Sequence, residues 1–188
     1  MIETSKYHIT QAGLAGEQLL VDAAKKNPKD FAVLYDKYYE PIFRYIYQRV
    51  DDKEVAFDIT QQVFLKALDN LYKYEFRGVP FASWLYRIAY SELNNLFRKK
   101  KVEHTVNIDS VSVYSIIEEI QESKIEQYHD KIIEIIAEQL DEDDLQLIEM
   151  RFFEKRSFKE IAEILDITEN NAKVRTYRIL DRLKKIIK

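Results

Sequence analysis

The chain has 188 residues, of which 46% are hydrophobic and 33% charged, a net charge of −4 and no cysteine. That apolar content is enough for one or two folded domains, and the missing thiols exclude disulfide frameworks, thiolate metal sites and cysteine catalysis together. No stretch approaches the ~18 apolar residues of a membrane span and no signal-peptide pattern opens the chain, so the expectation is a soluble, cytoplasmic protein without membrane insertion.

Only 3 Gly and 3 Pro occur. Sparse breakers between long patterns of period 3.6 predict an all-α fold. A short amphipathic helix is expected over Gly16–Lys26, through Leu19, Leu20 and Ala23. Asn27-Pro28 reads as a cap with proline at the first helical position. The next helix is expected over Lys29–Val50, with Phe31, Leu34, Tyr35, Tyr38, Ile42, Phe43, Ile46 and Tyr47 as its apolar stripe and a kink or join at Pro41. Asp51-Asp52 opens a third helix to about Tyr74, since carboxylates favour a helix N-terminus. The loop Glu75–Pro80 then leads into a helix carrying the only tryptophan.

On that fourth helix, 100° per residue places Trp84, Arg87, Ser91, Asn94, Asn95 and Arg98 on one face. Phe81, Leu85, Ile88, Ala89, Leu93 and Leu96 lie mostly on the other, and Arg98-Lys99-Lys100-Lys101 close the element. An indole needed only for a core belongs among aliphatics. Aromatics interleaved with cations on one face suit single-stranded nucleic acid, whose bases stack on rings while its phosphates pair with cations.

Beyond Lys101, residues 102–113 lose the helical period and read as a linker. Helices return over Ser115–Gln139 and Asp141–Phe153, with a turn at Glu154–Arg156. Net charge is +3 over residues 1–101, −12 over 102–154 and +5 over 155–188, so two basic ends flank an acidic middle. Ser157-Phe-Lys-Glu160 fits a capping box opening a short amphipathic helix to Leu165. Asp166-Ile-Thr168 breaks it, and Thr168 or Asn170 caps a long helix to Ile187. This is a helix-turn-helix.

In its second helix, Ala172, Thr176, Ile179, Leu180, Leu183, Ile186 and Ile187 form the inner face. Asn170, Asn171, Val174, Tyr177, Arg178 and Lys185 form the outer face, flanked by Lys173 and Arg175. Such a helix fits the major groove, reading base edges with its first turns; the plain alternative is a helical hairpin with a solvated charged face. His8, His104 and His129 are scattered without partners, so no catalytic residue, metal or cofactor is expected.

Together these segments resemble the bacterial sigma-70 family of RNA polymerase specificity factors, in its small two-domain extracytoplasmic-function form. Asp58-Ile-Thr-Gln61-Gln62-Val-Phe64 resembles the region 2.2 pattern Asp-x-x-Gln-Glu-x-Phe. Phe76-Arg77-Gly78, followed by Phe81-Ala-Ser-Trp84-Leu-Tyr-Arg87-Ile-Ala89, is similar to regions 2.3 and 2.4. Phe158 to Arg178 resembles region 4.2. The resemblance implies a transcription initiation factor and no enzyme, with domains at 1–101 and 129–188 joined by an acidic linker at 102–128. It implies that Asp58, Gln61, Gln62 and Phe64 dock on the β′ clamp helices of core RNA polymerase, and that the C-terminal domain sits on the β flap.

It further implies that Phe76, Arg77, Trp84, Arg87, Ser91, Asn94, Asn95, Arg98 and Lys99 bind and melt the −10 element, Trp84 as wedge and Phe76 beside a flipped base. Asn170, Asn171, Lys173, Val174, Arg175, Tyr177 and Arg178 are then the −35 readers. By family habit an anti-sigma factor is a further partner. The chain departs from the family pattern in four places: Ser91 where Asn is common, Gln62 for Glu, Asp166 for Gly in the turn, and Val174 at a usually polar reading position, where it suits a thymine methyl. Two rival readings remain, a ligand-binding or dimeric helix-turn-helix regulator on a palindromic site, and a helical adaptor without DNA function.

Overall fold

The computed structural model describes residues 11–100, Ile116, Glu119 and residues 140–187; the 102–128 linker lies outside them but for Ile116 and Glu119. The chain forms two compact units, taken in turn below. Every regular element among the described residues is helical.

The N-terminal unit holds α1 (Gln11–Lys26), α2 (Phe31–Val50), α3 (Lys53–Asn70) and α4 (Phe81–Lys100). α1 begins five residues before the expected Gly16, which sits in the helix with nothing within 4 Å of a built Cβ. Asn27 is extended and its side chain accepts the Lys29 N–H at 3.3 Å, starting the Pro28–Asp30 turn that leads into α2. α2 runs on through Pro41, so of the expected kink or join the join is absent. Pro41 is exposed, and so is Lys37, the residue one turn back whose carbonyl its ring nitrogen cannot reach.

Asp51 ends α2 in the left-handed conformation, φ 50°, donating its N–H to the Tyr47 carbonyl at 2.9 Å. Asp52 then caps α3, its carboxylate accepting the N–H groups of Glu54 and Val55 at 2.9 and 3.1 Å. α3 stops at Asn70 rather than Tyr74, and its last residues tighten into a short 3₁₀ turn, Leu71–Lys73.

α2, α3 and α4 pack mutually, with α1 laid against α2 and the Leu71–Lys73 turn. Leu34, Ile42, Ile46, Val63, Leu85 and Leu93 are fully sealed in this core. The α2 stripe is mostly buried, except that Tyr47 is exposed. Tyr45 is buried instead, with the Arg49 guanidinium 3.7 Å over its ring. α1 is stapled in place by Glu17, a buried carboxylate that accepts from the Tyr38 hydroxyl, from Lys37 Nζ at 2.9 Å and from the Phe81 N–H at 2.5 Å.

The C-terminal unit contains α5 (Glu142–Ile148), a π-helical turn at Glu149–Phe153, α6 (Phe158–Leu165) and α7 (Glu169–Ile187). Asp141 caps α5 by accepting the Asp144 N–H at 2.8 Å. The expected capping box is present: the Glu160 carboxylate accepts from the Ser157 N–H at 3.0 Å, and the Ser157 hydroxyl accepts the Glu160 N–H at 3.2 Å. Asp166 adopts φ 56°, the left-handed conformation that lets α6 end and the chain turn. Leu147, Ile148, Met150, Ile161, Ala172 and Leu183 make the core, joined by Ile116.

Candidate nucleic-acid interface

Three surfaces carry the residues singled out by sequence. On α3, Asp58 and Gln62 are exposed one turn apart, on one face of the helix. Gln61 is half-buried and its Nε2 donates to the Tyr35 hydroxyl at 3.3 Å. Phe64 corrects the expectation. It is 3% exposed and packs at 4.7 Å from the Tyr35 ring and 6.5 Å from Phe31, so it is core and offers no contact surface. Of the exposed apolar groups on α3, Phe57, Leu65 and Leu68, the most open is Leu65, 60% exposed and one turn beyond Gln61. Period alone missed it, because an exposed leucine and a buried one look the same in a sequence.

The second surface joins the loop 75–80 to the first half of α4. Phe76 is 44% exposed and Arg77 is also exposed, neither packed into the core. Gly78 has φ 70°, the conformation in which a side chain is strained. Trp84 is half-buried, neither sealed in the interior nor free on the surface. Its indole leans on the rings of Tyr74 and Phe81 at 5.3 and 5.4 Å, leaving part of its face open. Tyr74 and Phe81 bound the loop on either side, so loop and indole share one footing.

Burial, with the Glu17 and Asp22 carboxylates nearby, pushes the Tyr74 phenol well above its ordinary range, so it stays neutral as a packing ring. Farther along α4, Arg87, Asn94 and Asn95 are half-buried while Ser91 and Arg98 are exposed; Arg98 donates to the Asn95 side chain at 2.9 Å. The side chain of Lys99 lies outside the described residues. The opposite face is core, as expected, through Phe81, Leu85, Ala89 and Leu93, and includes Ser83, Tyr86 and Phe97, which the wheel reading did not assign.

The third surface is the outer face of α7. Thr168 is the cap, its hydroxyl accepting the Asn171 N–H at 3.2 Å. Asn170, Asn171, Lys173, Val174, Tyr177 and Arg178 are all exposed across the first three turns, while Ala172, Thr176, Ile179, Leu180 and Leu183 are buried. Lys173 pairs with Glu169 at 2.9 Å along the helix. Arg175 differs from its neighbours. It is half-buried and turned to Asp144 on α5 at 3.5 Å, where Arg182 also reaches at 2.6 Å. Arg175 thus braces α7 as well as flanking its outer face. Phe158 supports the same face from α6, its ring 6.4 Å from Tyr177 and 4.5 Å beneath the Arg151 guanidinium.

Comparison with known proteins matches residues 34–102 to the family described as Sigma-70 region 2 and residues 137–185 to that described as Sigma-70, region 4. Among curated relatives, the chain is 31% identical over 160 residues to RNA polymerase sigma factor YlaC of Bacillus subtilis, covering 81% of this chain and 88% of that one. It is 27% identical over 170 residues to ECF RNA polymerase sigma factor BldN of Streptomyces coelicolor, covering 89% of this chain but only 64% of that protein's length. Among solved structures, CnrH in complex with the cytosolic domain of CnrY aligns with a TM-score of 0.55 at 17% identity, covering 91% of this chain and 96% of that one, a likeness of fold.

Proposed function

Because this chain belongs to the sigma-70 family and is an RNA polymerase sigma factor of the extracytoplasmic-function type, we propose a division of labour among its three surfaces. Sigma factors bind core polymerase and promoter −10 and −35 elements and are not enzymes; bond formation belongs to the polymerase. In this chain Asp58, Gln62 and Leu65 are the groups that meet the β′ clamp helices, with Gln61 at the edge and Phe64 holding the helix from beneath. Asn170, Asn171, Val174, Tyr177 and Arg178 face the −35 duplex, Arg178 as a base reader and Lys173 as a phosphate contact.

Trp84 and Phe76 take the −10 strand. Opening a duplex forfeits stacking, and a ring that replaces a lost neighbour returns roughly 1–3 kcal/mol per base. Phe76 receives the extruded base, and Gly78 lets the backbone approach it closely. Pyrimidine–purine steps stack weakly and flip at least expense, so part of the selectivity reads deformability. The observation that carries this reading is the half-open Trp84 indole, rooted on the two residues that bound a loop whose own aromatic is exposed.

The partners on this reading are core polymerase, promoter DNA and an anti-sigma factor; the solved CnrH structure contains the cytosolic domain of CnrY as its partner. No helix among the described residues is long and apolar enough to cross a membrane, in keeping with a cytoplasmic site of action beside the polymerase. The test is reconstitution. The purified chain is added to bacterial core RNA polymerase with a library randomised across the −35 and −10 positions, and run-off transcripts are sequenced. Recovery of one paired motif supports the reading; transcription without enrichment at either element sinks it.

A further inference from the structure

Two side chains of α1 hold the two ends of the loop that carries Phe76. Lys25 donates from Nζ to the Tyr74 carbonyl at 2.6 Å, and the Glu17 carboxylate accepts the Phe81 N–H at 2.5 Å. Eight residues of helix place these grips about 12 Å apart along the α1 axis. The Glu17 grip is the more firmly held of the two. Glu17 is 4% exposed and is itself fixed from α2 by the Tyr38 hydroxyl and by Lys37 Nζ at 2.9 Å. The Phe81 N–H is the first orphan donor of α4, where a carboxylate also complements the helix dipole.

Between the grips, Val79 and Pro80 are buried, while Glu75, Phe76 and Arg77 are exposed. Phe76 is 44% exposed, so packing holds its ring only in part and the backbone at either side sets the rest of its position. The same two end residues, Tyr74 and Phe81, are the rings against which Trp84 leans. A shift at either end therefore displaces base receiver and wedge together.

We propose that α1 is a splint for promoter opening, in which Glu17 and Lys25 act as positioning residues that fix the span of the Tyr74–Phe81 loop. They touch no DNA. Their contribution is pre-organisation: a loop already held at its working span spends no binding energy on being ordered when the base arrives. The inference rests on the reading of Phe76 and Trp84 given above.

The test uses Lys25→Met in the full chain, because Lys25 is exposed and its loss leaves the core intact. Glu17→Leu serves as the second variant and Lys25→Arg as the rescue. Amide exchange over residues 75–80 is followed in the free protein. Open-complex formation by the holoenzyme is followed by permanganate on a library-selected promoter, with closed-complex affinity measured beside it. Lys25→Met is expected to speed loop exchange and to slow opening, each about tenfold, the equivalent of one charge-assisted hydrogen bond. Exchange in α2 and α3 and closed-complex affinity stay unchanged, and Lys25→Arg restores both rates.

Wild-type exchange and opening rates in Lys25→Met overturn the splint. So does faster exchange without slower opening, provided Phe76→Ala in the same assay does slow opening. Should Phe76→Ala open at the wild-type rate, the reading of the loop is what falls, and the exchange measurement alone decides whether α1 holds it.

Discussion

The ring of Tyr74 lies 5.3 Å from that of Trp84 at an interplanar angle of 56°, so one side of the indole is spoken for before any nucleic acid arrives. A wedge must be rigid to keep strands apart, and an aromatic side chain with no partner rotates out of the way. The contact supplies rigidity while the half-buried state leaves area for a base. Trp84→Ala is accordingly expected to spare closed-complex binding and to slow opening by about tenfold or more, within the ~1–3 kcal/mol of a lost stack. Permanganate reactivity of the −10 strand against time measures it, and unchanged opening kinetics remove Trp84 from the wedge role.

On the proposed reading, docking and folding fall to different residues of α3. Asp58→Ala and Leu65→Asp alter exposed groups, so each is expected to leave the melting temperature within a few degrees while weakening holoenzyme assembly about tenfold. Phe64→Ala removes a buried ring and is expected to destabilise the unit by about 3–5 kcal/mol. Thermal melts paired with core-polymerase competition distinguish the two groups. A Phe64 variant that melts normally yet binds poorly reverses the assignment.

On α7, Arg178→Ala is expected to cost about 1–3 kcal/mol of −35 affinity and to relax preference at one position. Lys173→Ala is expected to weaken all sequences alike and to lower the salt slope by about 1. Holoenzyme binding across a panel of −35 variants at several salt concentrations reads both. Equal loss on every sequence for Arg178→Ala makes it a phosphate contact.

The capping box offers a stability check independent of DNA. Ser157→Ala removes the one hydroxyl that both accepts the Glu160 N–H and donates to the Glu160 carboxylate at 2.7 Å. A loss of about 0.5–2 kcal/mol is expected from denaturant unfolding followed by circular dichroism. A smaller effect means the turn at Glu154–Ser157 holds α6 without it.

Much of this was legible in the residues. The 3.6 period gave the helices, Asp52 and Ser157 gave two of their starts, and the company kept by Trp84 pointed away from an ordinary core position. Where the reading erred, the cause is tertiary. Phe64 sits in a motif with docking partners, yet only packing against Tyr35 and Phe31 tells that its ring points inward. Pro41 makes no join in α2, where it stands exposed, which the chain's order of residues does not state. Glu17 was invisible for a plainer reason: its partners, Tyr38 and Phe81, lie 21 and 64 residues away. Long-range polar contacts leave no period behind.

The family match in the first unit begins at residue 34, yet Glu17 answers three donors that lie within the matched stretch. A fragment trimmed to the match would strand the Tyr38 phenol and the first amide of α4 without an acceptor, each worth about 1–3 kcal/mol when buried. The smallest autonomous version of this half therefore includes α1, and truncations made by homology alone would yield a species prone to misfold and self-associate.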